Sequence, residues 1–111
     1  MYDIVILDEA KEELRCEMAY SREKWGTTHG EKYAKELQEQ IRVLRNNPRL
    51  YPLRNDILPD IRIKTFKGNQ IIYTIRENQN SVVVLAIISR YQQPNQLEPR
   101  LEKIPLRYTP H

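Results

Sequence analysis

Cysteine, histidine and glycine are scarce in this chain, with one, two and three copies among 111 residues. Each shortage closes off a class of chemistry. Cys16 stands alone, so no internal disulfide is possible and a reducing compartment costs the protein nothing. His29 and His111 with a single cysteine fit no zinc-ligand spacing. Three glycines do not make a glycine-rich phosphate loop. Ser/His/Asp catalysis would have to use His29, which sits beside a helix start and reads better as a first-turn residue. Long apolar runs are also missing: the longest, Val82 to Ile88, is far short of the roughly 20 residues that a membrane span needs. No basic-then-apolar leader opens the chain, so the expected location is cytoplasmic. No cofactor and no metal are expected.

What remains is a soluble composition, 40% hydrophobic and 30% charged, at a length that suits one domain. The formal charge of +3 is unevenly spread. From Met1 to Asn47 eight Lys/Arg stand against ten Asp/Glu, a net of −2; from Pro48 to His111 ten stand against five, a net of +5. A positive field on the second half favours an anionic target, such as nucleic acid or an acidic protein segment.

The pattern along the chain gives an α+β order. Tyr2 to Leu7 is an Ile/Val-rich strand. Asp8 is placed to cap the following helix, with Glu9, Glu12 and Glu13 near its positive end. Ala10, Leu14, Met18, Ser21 and Trp25 form one stripe of that helix, which Gly26 stops. Thr28-His29-Gly30-Glu31 has the form of a capping box. Tyr33, Leu37, Ile41 and Leu44 then make a second stripe, ended by Asn46-Asn47-Pro48. The short link implies an antiparallel helical hairpin. Pro48 to Asp60 reads as an ordered loop. A three-stranded antiparallel meander follows, at Ile61 to Phe66, Gln70 to Glu77 and Ser81 to Ser89, and the last strand is apolar enough for both faces to be buried. The domain is expected over 1–93, with a proline-rich C-terminal tail over 94–111.

Within the meander, Ile61 and Ile63 alternate with Arg62 and Lys64, so one face feeds a core and the other carries cations. Lys67, Arg76 and Arg90 could join them. The carboxylates fall mostly on helix surfaces, where solvation is the default. Tyr73 alternates with Ile71 and Ile75 and reads as core, whereas Tyr91 could stack on a base or donate a hydrogen bond.

Five features in order now resemble the RelE/ParE superfamily of bacterial toxins from type II toxin–antitoxin modules. They are the opening strand into Asp8-Glu9-Ala10; Tyr20 through Lys24-Trp25-Gly26; Leu44-Arg45-Asn46-Asn47-Pro48; Ile61-Arg62-Ile63-Lys64 with Ile71-Ile72-Tyr73; and Val82 to Ile88 leading to Ser89-Arg90-Tyr91. The resemblance covers Tyr2 to Pro94 and implies the strand, helical hairpin and meander fold.

It also implies two activities. The ribonuclease branch cuts mRNA on the ribosome with sheet cations and a late tyrosine, which would make Arg62, Lys64, Arg90 and Tyr91 catalytic here. Arg62 and Lys64 match its first two cationic positions, but its next arginine falls at Gln70 and its later one at Gln92, with Arg90 nearby. Amides in place of guanidinium groups remove charge where scission accumulates it. The ParE branch binds DNA gyrase as a poison, and the Trp-Gly and Asn-Pro helix endings are more similar to it. The ParE-like reading is therefore preferred and assigns no catalytic residue. It gives target contact to Arg62, Lys64, Lys67, Arg90 and Tyr91. Either branch implies a cognate antitoxin in a hetero-oligomer with the toxin, and the basic second half points to an acidic segment of it.

Overall fold

The computed structural model describes residues 1–89 together with Arg100 and Glu102. Strand β1 (Asp3–Ile6) leads into the helical segment α1 (Asp8–Arg42), followed by β2 (Ile61–Phe66), β3 (Asn69–Arg76) and β4 (Ser81–Ser89). The four strands form one sheet in the order β1-β4-β3-β2, antiparallel except for the parallel pairing of β1 with β4. This is the expected α+β arrangement.

Helix α1 is unbroken in extent but not in direction. Gly26 adopts φ 82°, ψ 169°, outside the helical region, and the two arms fold back on each other there. An L side chain at that φ is strained, which is why a glycine ends the first arm. The fold-back is tight. A Cβ added to Gly30 would lie 2.5 Å from the Cα of Arg22, so the opposing backbones touch at a position where only glycine fits. Across the arms, Ser21 Oγ reaches the Gly30 carbonyl, while also donating to the Met18 carbonyl on its own arm, and Tyr33 Oη donates to Glu17.

Two local expectations change. Asp8 is the first helical residue, and the cap position, Leu7, makes no side-chain bond. Asp8 and Glu9 still sit in the first turn, where their charge suits the helix dipole. Thr28 and Glu31 lie exposed within the helical run, and no capping-box bond joins them among the described residues. The second stripe holds fully: Tyr33, Leu37, Ile41 and Leu44 are all buried.

The sheet separates two cores. Tyr33, Leu37, Ile41 and Leu44 pack with Ala10, Ile71, Tyr73, Val82, Val84 and Ile87. On the opposite face Ile61, Ile63, Ile72, Val83, Leu85, Ala86 and Ile88 gather with Leu7, Ile57 and Leu58. A register shift opposite Ile72/Tyr73 puts Leu85 and Ala86 on the same side, the signature of a bulge in β4. All nine residues of β4 are buried, as expected of a strand covered on both faces.

β1 pairs with β4 only as far as Val84. Beyond it the Ile87 N–H donates to Glu13 Oε1 at 3.1 Å, and Arg100 donates to the Leu85 carbonyl at 2.9 Å. Arg100 also bonds Glu13 through Nε at 2.7 Å. Glu13, read from sequence as a solvated helix carboxylate, is thus part of the sheet edge. Apart from Arg100 and Glu102, the expected proline-rich tail lies outside the described residues.

The close approach at Gly30 makes a direct prediction. Gly30→Ala forces the helical arms apart and should lower the unfolding free energy by about 1–3 kcal/mol, the usual cost of overpacking. Urea titration followed by far-UV circular dichroism measures it. A change below about 0.5 kcal/mol would mean that the arms separate freely.

Candidate functional site

The alternation in β2 places side chains as expected, but the cationic face does not point to solvent. Arg62 lies opposite Tyr73 and Lys64 opposite Ile71, on the face covered by the helical arms. Lys64 is only 3% exposed. Its Nζ donates to the Gln40 carbonyl at 2.9 Å and stands 5.0 Å from the centre of the Tyr51 ring. The carbonyls of a last helical turn lack intrahelical partners and carry partial negative charge, so an ammonium there meets a ready acceptor.

Arg62 is half-buried, and its guanidinium donates to the carbonyls of Arg49 (3.2 Å) and Tyr51. Tyr73 is fully buried, as read from the sequence, and its hydroxyl donates to the Pro48 carbonyl. These three side chains bind the main chain of the 48–60 loop and the helix end to the sheet. The expected surface strip of cations is, at Arg62 and Lys64, an internal clamp.

Lys67 behaves differently. It lies in the turn between β2 and β3, is 56% exposed, and reaches Glu36 at 2.7 Å. Arg90 and Tyr91 lie outside the described residues.

A second feature escaped the sequence reading. Trp25, His29, Lys32, Tyr33, Glu36, Lys67 and Gly68 line a cleft of about 730 Å³ between the fold-back of α1 and the β2–β3 turn. Its volume falls in the range of small-molecule and side-chain pockets. Tyr33 stands between Trp25, at a centroid distance of 5.0 Å and tilted by 58°, and Phe66, at 6.2 Å and nearly parallel. The Tyr33 hydroxyl accepts from Asn69 Nδ2 and donates to Glu17, whose carboxylate is 2% exposed. Asn69 Oδ1 is left without a partner among the described residues. Lys67 holds the Glu36 carboxyl below its usual range, first by hydrogen bonding and then by charge, against some desolvation.

Sequence offered one signal for this cleft: Trp25 ends one helical stripe and Tyr33 opens the next, on either side of Gly26. It gave none for the buried Glu17, which falls on the same helical face as Ala10, Leu14 and Ser21 and takes a place that apolar residues usually fill. Among the described residues no group of three or more His, Cys, Asp or Glu could hold a metal ion. No helix among them is long and apolar enough to cross a membrane.

The β1, helical fold-back and meander arrangement is that of RelE/ParE superfamily toxins. Solved structures of similar fold include the chromosomal ParDE toxin–antitoxin system from P. aeruginosa, at TM-score 0.68 and 15% identity, covering 80% of this chain and 96% of that one. The intact E. coli RelBE complex matches at TM-score 0.53 and 22% identity, with 80% and 96% covered. The isolated E. coli RelE toxin matches at TM-score 0.53 and 21% identity, with 91% and 99% covered. At these identities the likeness is one of fold. No curated protein sequence matches the chain. The family model for the ParE toxin of the type II toxin–antitoxin system parDE matches residues 4–94, and the chain belongs to that family.

Two outcomes test the clamp. Lys64→Met removes the donor to Gln40 and should cost about 1.5–3 kcal/mol of stability, as for other bonds to a charged group; urea titration reads it, and an unchanged midpoint would show that the ammonium holds nothing. Burial pushes the Tyr73 phenol up from 10.0 to about 12, with Arg62 opposing the shift. The unfolded chain therefore loses this proton first, so stability falls as pH rises from about 10 to about 12. Tyr73→Phe should be less stable at neutral pH and should show a shallower loss across that window, measured by thermal melts at stepped pH.

Proposed function

We propose that this ParE-family toxin acts by binding DNA gyrase and trapping its cleaved-DNA state, and that a cognate antitoxin neutralises it. The observation that carries this reading is the burial of Lys64 and the engagement of Arg62. Both match cationic positions of the ribonuclease branch, yet their donors are spent on main-chain carbonyls under the helical arms. A cation that stabilises a scissile phosphate must reach the oxygens where charge develops. These two would first have to release the 48–60 loop and the helix end. Gln70 in place of the next arginine supports the same direction.

In this reading Lys67, Arg90 and Tyr91 touch the target, while Arg62 and Lys64 fix the framework beneath them. The net positive charge of the second half draws the toxin toward a DNA-bound enzyme. No catalytic residue is needed, because trapping is a binding effect. The parDE family and the toxin–antitoxin complexes of similar fold support the antitoxin as partner.

The test is direct. Antitoxin-free protein, shown to be folded, is incubated with gyrase, supercoiled plasmid and ATP, then denatured. Linear DNA that depends on gyrase is expected, and Lys67→Glu should reduce it several-fold, more so at low salt. No linear DNA, together with cleavage of mRNA on purified ribosomes, would overturn this reading in favour of the nuclease.

A further inference from the structure

The cleft at the fold-back of α1 is separate from the Arg62–Lys64–Tyr73 clamp and has its own chemistry. One side of it is aromatic. Trp25, the chain's single tryptophan, keeps 38% of its surface open. Against it stands Tyr33, 6% exposed, bonded through its hydroxyl to the buried Glu17 and Asn69 and nearly parallel to Phe66. An indole backed by fixed rings offers a planar ligand a surface that costs little to order. The exposed Lys24 holds its Nζ 5.2 Å from the centre of the indole ring. A cation–π contact at an exposed site is worth only about 0.5–1 kcal/mol, so a flat ring can take that place.

The rim is cationic, and its cations converge. Lys67 Nζ bonds the Glu36 carboxylate at 2.7 Å, and Lys32 acts on the same carboxylate through its charge. His29 lines the same rim and adds a ring nitrogen that can donate. Two ammonium groups thus face one carboxylate, and the Lys67–Glu36 bridge is exposed and therefore weak. A second monocarboxylate would gain nothing there over Glu36, which is already tethered. A phosphate monoester brings a charge of about −1.5 to −2 and three strong acceptor oxygens to the same two lysines.

Size and layout select one ligand unit rather than a strand. The volume of about 730 Å³ suits a single small molecule. Proteins that track single strands set successive aromatic rings along a charged groove, so that base after base can stack. Of the two large rings in this lining, Trp25 is open and Tyr33 is buried.

We propose that this cleft binds one free nucleotide, its base laid on Trp25 and its phosphate held by Lys32 and Lys67 in place of Glu36. The inference is independent of the toxin's target, and neither gyrase nor an antitoxin enters its test.

The experiment uses the full chain labelled with 5-fluorotryptophan, which gives one fluorine resonance, from Trp25. The probe is adenosine 5′-monophosphate, with adenosine, inorganic phosphate and single-stranded oligothymidine titrated in parallel. The monophosphate should shift the resonance saturably, with a Kd below about 1 mM. Adenosine and phosphate, each making half of the contacts, should bind at least about tenfold more weakly. Lys32→Glu should weaken binding at least about fivefold, whereas Glu36→Gln, which releases Lys67, should tighten it about two- to fivefold. Neither side chain belongs to either core, so both variants should keep the fold. No shift at about 10 mM monophosphate, in protein shown to be folded, would overturn the proposal. Equal affinity for inorganic phosphate would reduce the cleft to an anion site and overturn the role of Trp25. Affinity unchanged in both variants would place the nucleotide elsewhere. Tighter binding of oligothymidine than of the monophosphate would make a strand the occupant and overturn the free nucleotide.

Discussion

Every residue of β4 is buried, so each of its N–H and C=O groups must find a partner inside the protein. The architecture follows from that requirement. β3 supplies one side of the strand from Ser81 to Ser89 apart from the bulge at Leu85, and β1 supplies the other as far as Val84. Past that point a side-chain carboxylate and a guanidinium replace the missing strand: Glu13 accepts from Ile87, and Arg100 donates to Leu85. The two also bond each other, so the substitute edge is neutral and mutually satisfied. A buried carboxylate or guanidinium alone would be costly, but this pair is held where backbone groups need what each can give.

Charge is put to two uses on the two sides of the helical fold-back. Near the end of α1, cations are internal: Lys64 closes the helix C-terminus and Arg62 fastens the loop that follows. At the fold-back and the β2–β3 turn, cations are external, arranged around an aromatic wall. The same residue type therefore serves structure in one place and offers a surface in the other. What separates the two uses is whether the neighbouring main chain has carbonyls left unsatisfied.

This distinction marks the limit of what the sequence made legible. Strand β2 and the buried stripe Tyr33–Leu37–Ile41–Leu44 follow from periodicities of two and of three to four, and β4 from an unbroken apolar run, all of them local properties. The core position of Tyr73 follows in the same way. Alternation also separated Arg62 and Lys64 from Ile61 and Ile63, but it cannot say which face of a sheet the helices will cover. Glu13 and Glu17 were hidden for a related reason. A helical carboxylate is usually solvated, and the acceptors and donors that draw these two inward come from β4 and from Tyr33, about 70 and 16 positions away. The cleft was hidden because it is made by a turn and a fold-back that meet only in three dimensions.

The pairing of Asp3 with Ser81 joins two points separated by most of the described chain. A contact of that span carries a large loop-closure cost, which tertiary burial must already have offset before it forms. During synthesis β1 emerges first and β4 last, so the opening strand stays without its partner until all the other strands have been made. Helical arms and the β2–β3 hairpin can assemble locally in the meantime, but the sheet they rest on has no centre. The described sheet is thus assembled only when β4 arrives, and the step that completes the core also joins β1 to the β2–β3 hairpin.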